Sequence, residues 1–219
     1  MNHIKFLVLF SLILSFNSFS QNTESAYSSY DNSDQIISID KRDKEIKGTR
    51  YINDKFSYGT IKDSNKKILF KFDALLGEIE IKVDETSNIY LKKTLGSSIL
   101  FSPKKAYKVY KNEGELTYFL VSDECNTNCI LIKEIKKLNP AKVPDNGYEK
   151  YQPPTYSKVK EHYYVTFDGT NAVKIPTNKK EFYSFFGDKQ KEVKNYMKKN
   201  KLNRKSKEDL EEIISFYKS

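Results

Sequence analysis

Apolar residues recur along much of the chain in short runs, many of them alternating with polar ones, at 56–61, 68–72, 78–83, 88–91, 98–101, 107–110 and 116–121. Turn-forming residues separate them: Asp63-Ser64-Asn65, Gly77, Asp84-Glu85, Gly96, Pro103 and Asn112-Glu113-Gly114. Successive side chains of a strand point to opposite faces, so short alternating runs punctuated in this way predict strands. Many such strands in succession predict an antiparallel meander, a sandwich or a half-barrel. The cleanest alternation is Glu78-Ile79-Glu80-Ile81-Lys82-Val83, which puts Ile79, Ile81 and Val83 on one face and the charges on the other. One face of the sheet is therefore expected to be wet.

Further runs at 130–132, 163–167 and 172–175 extend the β pattern, the last two joined through Asp168-Gly169-Thr170-Asn171. Between 139 and 158 the periodicity stops. Pro140, Pro144, Pro153 and Pro154 punctuate a stretch that also holds Tyr148, Tyr151 and Tyr156. A connection this long is either a disordered tether or an aromatic recognition loop, since Tyr offers rigid amphipathic area at low entropic cost.

From residue 177 the period changes to that of a helix. Asn178 with Glu181 forms a near capping box before Phe182, Phe185 and Phe186, and Gly187 stops the helix. Asp188 is positioned to cap a second helix with Val193, Tyr196 and Met197 on one face. Ser206 opens a third, where Leu210, Ile213, Ile214 and Tyr217 follow the i, i+3, i+4, i+7 spacing of an apolar stripe. The expected class is thus α+β, a mainly antiparallel meander, sandwich or half-barrel followed by two to three C-terminal α-helices.

The first 20 residues have a different character. Lys5 precedes an apolar run over 6–16, and Ser18-Phe19-Ser20 precedes Gln21, the layout of a secretory signal peptide cleaved after Ser20. The apolar run falls short of the roughly 18 residues a membrane helix needs, and no later stretch reaches that length. The expected organisation is a signal peptide over 1–20, a flexible Ser/Asn/Asp/Lys-rich leader over 21–47, an antiparallel β domain over 48–176 and a helical segment over 177–219. The mature protein is expected to be periplasmic or secreted, with no transmembrane segment.

Composition narrows the class further. Of 219 residues, 38% are hydrophobic and 31% charged, which gives a lean core but leaves enough Leu, Ile, Val and Phe for a folded domain. Lys and Arg number 38 against 29 Asp and Glu, a net charge of +9, of which cleavage removes only Lys5. Collagen, long coiled coils, polytopic membrane proteins and disulfide-dense miniproteins are excluded.

Cys125 and Cys129 are the 2 cysteines, set in Asp123-Glu124-Cys125-Asn126-Thr127-Asn128-Cys129 between the runs at 116–121 and 130–132. Asn tolerates the left-handed conformation that such a hairpin loop needs, which brings the two sulfurs face to face. In an oxidising compartment the pair is expected to close as a disulfide. Zinc is a poor rival because the mature chain offers a single histidine, His162, to complete a tetrahedral site. A redox-active pair fits less well at this spacing. The same loop lacks the Gly and the bidentate Glu of a calcium loop.

His162 would have to serve any His-dependent triad, yet no G-x-S-x-G elbow supplies a nucleophile, and next to Tyr163 it reads as a surface or half-buried strand residue. Phosphate-cradling G-x-G-x-x-G and P-loop patterns are absent. No cofactor is expected. Charge is the uneven feature: Lys189, Lys191, Lys194, Lys198, Lys199, Lys201, Arg204, Lys205 and Lys207 crowd one segment with only Asp188 and Glu192 opposing them. At about 100° per residue, Lys191, Lys194 and Lys198 form one stripe opposite Val193 and Met197. That stripe is either a solvated face or an anion-binding face, for an anionic envelope component or a protein partner and not for nucleic acid. The excess of Lys over Arg suits diffuse attraction better than bidentate recognition.

Tyr51-Ile52-Asn53-Asp54-Lys55-Phe56 leading to Gly59-Thr60-Ile61, the Tyr163-Tyr164 strand, and the ending over 202–217 with Asp209-Leu210 and Phe216-Tyr217 carry a resemblance. In these stretches the chain resembles a family of uncharacterised exported proteins of Bacteroidetes bacteria. The resemblance implies a β-rich body with terminal helices and export, and brings no activity or catalytic residue; the Cys125/Cys129 turn departs from the pattern. The reading is an exported, non-enzymatic binding or structural protein. The alternative is an enzyme using carboxylate or Tyr/Lys chemistry in a cleft.

Overall fold

In the computed structural model the described residues are 46–219, apart from 63, 103, 123 and 143–150. The signal peptide, nearly all of the leader and the centre of the Pro/Tyr loop lie outside them. The strands are β1 (Ser57–Ile61), β2 (Lys66–Asp73), β3 (Glu78–Lys82), β4 (Asn88–Tyr90), β5 (Ser98–Ser102), β6 (Lys105–Asn112), β7 (Glu115–Ser122), β8 (Cys129–Ile135), β9 (Leu138–Asn139), β10 (Thr155–Tyr156), β11 (Lys160–Thr166) and β12 (Val173–Lys174). The helices α1 (Lys179–Ser184), α2 (Gln190–Asn200) and α3 (Lys207–Lys218) follow.

Ten strands form one antiparallel half-barrel sheet in the order β12-β11-β8-β7-β6-β5-β1-β2-β3-β4. Most neighbours are consecutive in sequence, as short turn-rich connections dictate. At the centre, β6 and β7 pair from Lys105↔Ser122 to Asn112↔Glu115. Glu113 and Gly114 between them both take positive φ (52° and 93°), the backbone that suits a two-residue hairpin.

The register sorts the apolar residues onto two covered faces. Phe70, Phe72, Ile79, Ile99, Tyr107, Val109 and Tyr118 fill one, with Tyr107 stacked on Phe72 at 4.4 Å and on Phe101 at 5.2 Å. Gly59 lies against this cluster, where an added Cβ would sit 2.8 Å from both Ile99 Cγ2 and Phe70 Cε1. Ala106, Tyr110, Phe119, Val121, Cys125, Leu131, Tyr164 and Ala172 fill the other. Curvature brings distant strands together: Lys136 N–H donates to the Ala74 carbonyl (2.9 Å), Lys111 N–H to Thr170 (2.9 Å) and Ala172 N–H to Lys111 (2.8 Å).

The helices pack on the β8–β11 end, burying Phe182, Phe186, Val193, Met197, Leu210, Ile213 and Ile214 against Ile130 and Val165. Each fully buried Leu, Ile or Phe contributes about 1.5–3 kcal/mol, so the α3 stripe alone anchors the helical layer. Asn178 caps α1 as expected, accepting from Lys180 N–H and Glu181 N–H, and Ser206 caps α3 through Asp209 N–H. Asp188 does not cap α2. It sits in a single 3₁₀ turn, Gly187–Lys189, so α2 starts from Lys189 without a side-chain cap.

Two further expectations are corrected. The Pro/Tyr stretch is not aperiodic throughout, because its ends pair as β9 with β10, and Lys142 bridges Gln152. The charged face of β3 is not wet, with Glu78 and Glu80 only 6% and 8% exposed while Val83 is 57% exposed. The reason is that chain on both sides covers it: Tyr51 of the segment 46–56 and Asn88 reach Glu80, and Lys93, just after β4, pairs with Glu78. Lys47 N–H donates to Pro154, Ile52 N–H to Phe72, and the Lys136 ammonium to the carbonyls of Thr49 and Tyr51 at 2.9 and 2.6 Å.

Candidate functional site

The basic stripe takes its rigidity from the helix that carries it. Val193 and Met197 anchor α2 in the helical core, and Tyr196 stacks on Phe216 at 3.9 Å while its hydroxyl donates to Glu212 (2.8 Å). The helix ends where Lys201 adopts a left-handed φ of 56°. Lys191, Lys194 and Lys198 are all exposed; Lys191 and Lys198 point away from the helical core, whereas Lys194 lies only about 60° round the helix from Met197 and flanks it. Their Cα atoms are spaced by about 4.5 and 6 Å along the axis, close enough for their fields to overlap within one screening length. Lys189 donates to the Tyr217 carbonyl (3.1 Å) and Lys207 pairs with Glu211 (2.9 Å). Among the described residues none of the three stripe lysines pairs with a carboxylate; Lys194 lies over the Tyr183 ring at 5.9 Å.

A second basic feature comes from three distant stretches. Glu161, His162 and Tyr163 of β11, residues 174–177, and Arg204-Lys205 between α2 and α3 line a cleft of about 290 Å³. β12 pairs with β11 at Tyr164 and Val165, Ile175 N–H still donates to the Tyr163 carbonyl (3.0 Å), and the cleft opens beyond that bond. His162 is half-buried, as expected, and its register partner on β8 is Lys133. Burial, reinforced by Lys160, Lys174, Lys133 and Lys137, holds the His162 imidazole below its ordinary range. Arg204 Nε donates to the Thr177 carbonyl at 3.2 Å, which fixes the guanidinium at the mouth. Sequence periodicity carries no trace of this cleft; the signals available were the adjacent Arg204-Lys205 pair and a histidine among lysines.

The third constellation is the charged network beneath the segment 46–56. Arg50 pairs with Asp73, which also accepts from the Tyr90 hydroxyl (3.2 Å) and from Leu75 and Leu76 N–H (3.0 and 3.1 Å). The Tyr51 hydroxyl donates to Glu80, which also accepts from Asn88 (2.8 Å) and pairs with Lys71 at 3.7 Å. Lys93 pairs with Glu78 at 2.6 Å. Burial pushes Tyr90 up to about 12 and, with Glu80, raises Tyr51 further, so both hydroxyls stay protonated donors at neutral pH. These carboxylates are engaged by Arg50, Lys71, Lys93 and the Tyr51, Tyr90 and Asn88 donors, and line neither the cleft nor the second hollow formed by residues 139–142 and 151–155 with Lys47. The network's chemistry is that of a clasp.

Cys125 and Cys129 meet in disulfide contact with Cα atoms 5.7 Å apart, and Asn128 takes the left-handed φ of 54° that the loop needs. Cys125 is buried, its sulfur 3.6 Å from the Tyr110 hydroxyl. Among the described residues no group of three His, Cys, Asp or Glu side chains is arranged to hold a metal ion, and no helix is long and apolar enough to cross a membrane.

The class defined at this point is an antiparallel half-barrel sheet with three C-terminal helices and a basic helical end. No protein-family model matches the chain, and no curated protein or solved structure shows significant similarity to it.

Proposed function

We propose that this protein is an exported, non-enzymatic binding component that engages an anionic partner of the envelope or extracellular space through α2. The observation that carries the reading is the α2 stripe, three exposed lysines on a helix anchored by Val193 and Met197, none of them paired with a carboxylate among the described residues. Lysines serve as strongly hydrated point charges, so this face attracts polyanions at long range and with steep salt dependence. Export rests on the pattern over 1–20, and the resemblance to exported proteins of Bacteroidetes agrees with it.

The test is retention of the full chain on an immobilised sulfated polysaccharide over a salt series. Changing Lys191, Lys194 and Lys198 to Gln weakens retention and flattens the salt dependence more than three Lys→Gln changes elsewhere that match the net charge. Equal retention of the two charge-matched proteins reduces the stripe to a solvated face and refutes the reading.

A further inference from the structure

The strand register gathers a second group of cations on the side of the sheet away from the helices. Along β11, Lys160, His162 and Tyr164 share one face, and pairing places Ile135, Lys133 and Leu131 of β8 and Lys174 of β12 on that same face. Tyr163 and Val165 point the other way, onto Ile175 and the helical core. Lys133 lies directly opposite His162, Lys174 stands beside them on the outer strand, and the field of Lys137, just past β8, also reaches the imidazole. Lys137, Lys160 and Lys174 are exposed, while Lys133 and His162 are half-buried. Among the described residues none of these four lysines forms an ion pair; Glu113 of the β6–β7 turn is the carboxylate whose field reaches Lys133. Like charges directly opposite on a sheet destabilise it, and burial with the four lysines holds the His162 imidazole below its ordinary range. An external anion relieves that repulsion.

The kind of anion follows from the shape of the surface. The face is open, so a single small anion meets one or two hydrated ammonium groups and is held weakly. The cations are spaced about 5 Å across strands and about 7 Å along β11, which presents a row to successive charges of one chain. A polymer engaging several of them gains from the high local concentration of its remaining charges. Duplex DNA, with one charge per roughly 1.7 Å, is far denser than the row, whereas a polysaccharide with one charge per ring repeats on the same scale. We infer that the helix-free face of β8, β11 and β12 binds an anionic polysaccharide across Lys133, Lys137, Lys160, His162 and Lys174. This surface stands without the α2 stripe, since the helical layer packs on the other side of β8 and β11.

The experiment follows the side-chain NMR signals of His162 in the full chain, assigned with His162→Gln, through a pH titration with and without short alginate chains, which carry one carboxylate per ring. Alginate moves the His162 midpoint up by about half a pH unit, and by reciprocity alginate binds about threefold tighter once the imidazole is protonated. Glucuronate at the same carboxylate concentration and neutral dextran leave the midpoint where it was. Lys133→Gln/Lys174→Gln raises the midpoint of the free protein, because two repelling charges are gone, and weakens alginate binding about fivefold or more. Lys137→Gln/Lys160→Gln, both at exposed positions, weakens it too and gives the answer if replacing the half-buried Lys133 disturbs the fold. Lys191→Gln/Lys194→Gln/Lys198→Gln leaves the His162 response unchanged, so failure of this site and failure of the proposed role of α2 are read separately. An unmoved midpoint, an equal effect of glucuronate, a response lost with the α2 lysines or one kept in full by the Lys137/Lys160 variant overturns the inference.

Discussion

Substituting Asn for Asp73 tests what the clasp over β2 and β3 contributes. Asp73 is fully buried and Arg50 keeps 15% of its side chain exposed. Burial opposes the charge on Arg50, yet Asp73 outweighs it and holds the guanidinium above its ordinary pKa. The asparagine side chain is nearly isosteric and its carbonyl can still accept from the Leu75 and Leu76 N–H groups, so the turn after β2 survives. What is lost is the anion, and the new amide N–H₂ opposes a guanidinium that also only donates. Breaking a fully buried pair costs about 3–5 kcal/mol; discounted for the partial exposure of Arg50, the expected loss is about 2–4 kcal/mol. At about 2–4 °C per kcal/mol for a chain of this size, that lowers Tm by roughly 4–16 °C. The chain has no Trp, so unfolding is followed by far-UV circular dichroism. Arg50→Met combined with Asp73→Asn is expected to cost less than the sum of the two single changes, because neither charge is then stranded, with a coupling of about 1–3 kcal/mol. A single Asp73→Asn change within about 0.5 kcal/mol of the parent, or strict additivity, would refute the clasp.

Gly59→Ala places a methyl group 2.8 Å from both Ile99 and Phe70, two buried side chains, and is expected to cost about 1–3 kcal/mol by overpacking, read from urea midpoints. Gly96→Ala, where φ is +80° and nothing lies within 4 Å, isolates the backbone contribution for comparison. Burial raises the Glu134 carboxyl, even though the Tyr107 hydroxyl donates to it at 2.6 Å and stabilises its anion. A raised folded pKa gives stability that is complete below the ordinary Glu value and is lost as pH rises through the folded one, so Glu134→Gln is expected to gain on the parent as pH rises from about 4 to 7; parallel stability curves would refute this. Thiol labelling of the exported protein is expected to leave Cys125 and Cys129 unreacted until reductant is added, and two labelled thiols in the unreduced protein would remove the disulfide. Its N-terminus, read by mass spectrometry, is expected at Gln21, and an intact Met1 would remove the export reading.

Local chemistry carried the elements well and their partners poorly. Leu210, Ile213 and Ile214 advertise α3 because burial on one helical face enforces a spacing that needs no knowledge of the rest of the chain. Asn178 and Ser206 mark helix starts for the same local reason. Asp188 looked equivalent, but the Gly187 backbone (φ 54°) introduced a 3₁₀ turn that displaced the start of α2 past it. Ile79, Glu78 and Glu80 show the limit: alternation correctly separated two faces, and it could not reveal that Tyr51, some thirty residues upstream, and Lys93, downstream, would engage the charged one. β9 and β10 escaped notice because two-residue strands have no period to detect. The cleft at His162 was invisible because its walls belong to β11, the stretch after β12 and the α2–α3 connection, which only the folded topology unites. Lys191, Lys194 and Lys198 were legible because an isolated helix already determines that they share a side.

The sheet ends on its shortest strands, three residues in β4 and two in β12 against eight each in β2, β6 and β7. Self-templating into fibrils needs an unpaired run of about six residues or more to which another copy can add. Neither margin supplies one. Lys92 and Lys93 follow β4, and Lys174 and Pro176 stand at and just beyond β12, adding charge and a missing N–H where a seventh or eighth residue would have to dock. Among the described residues the ten-stranded sheet thus presents no margin long enough for a second copy to extend, and recognition there falls to side chains on its faces and not to its seams.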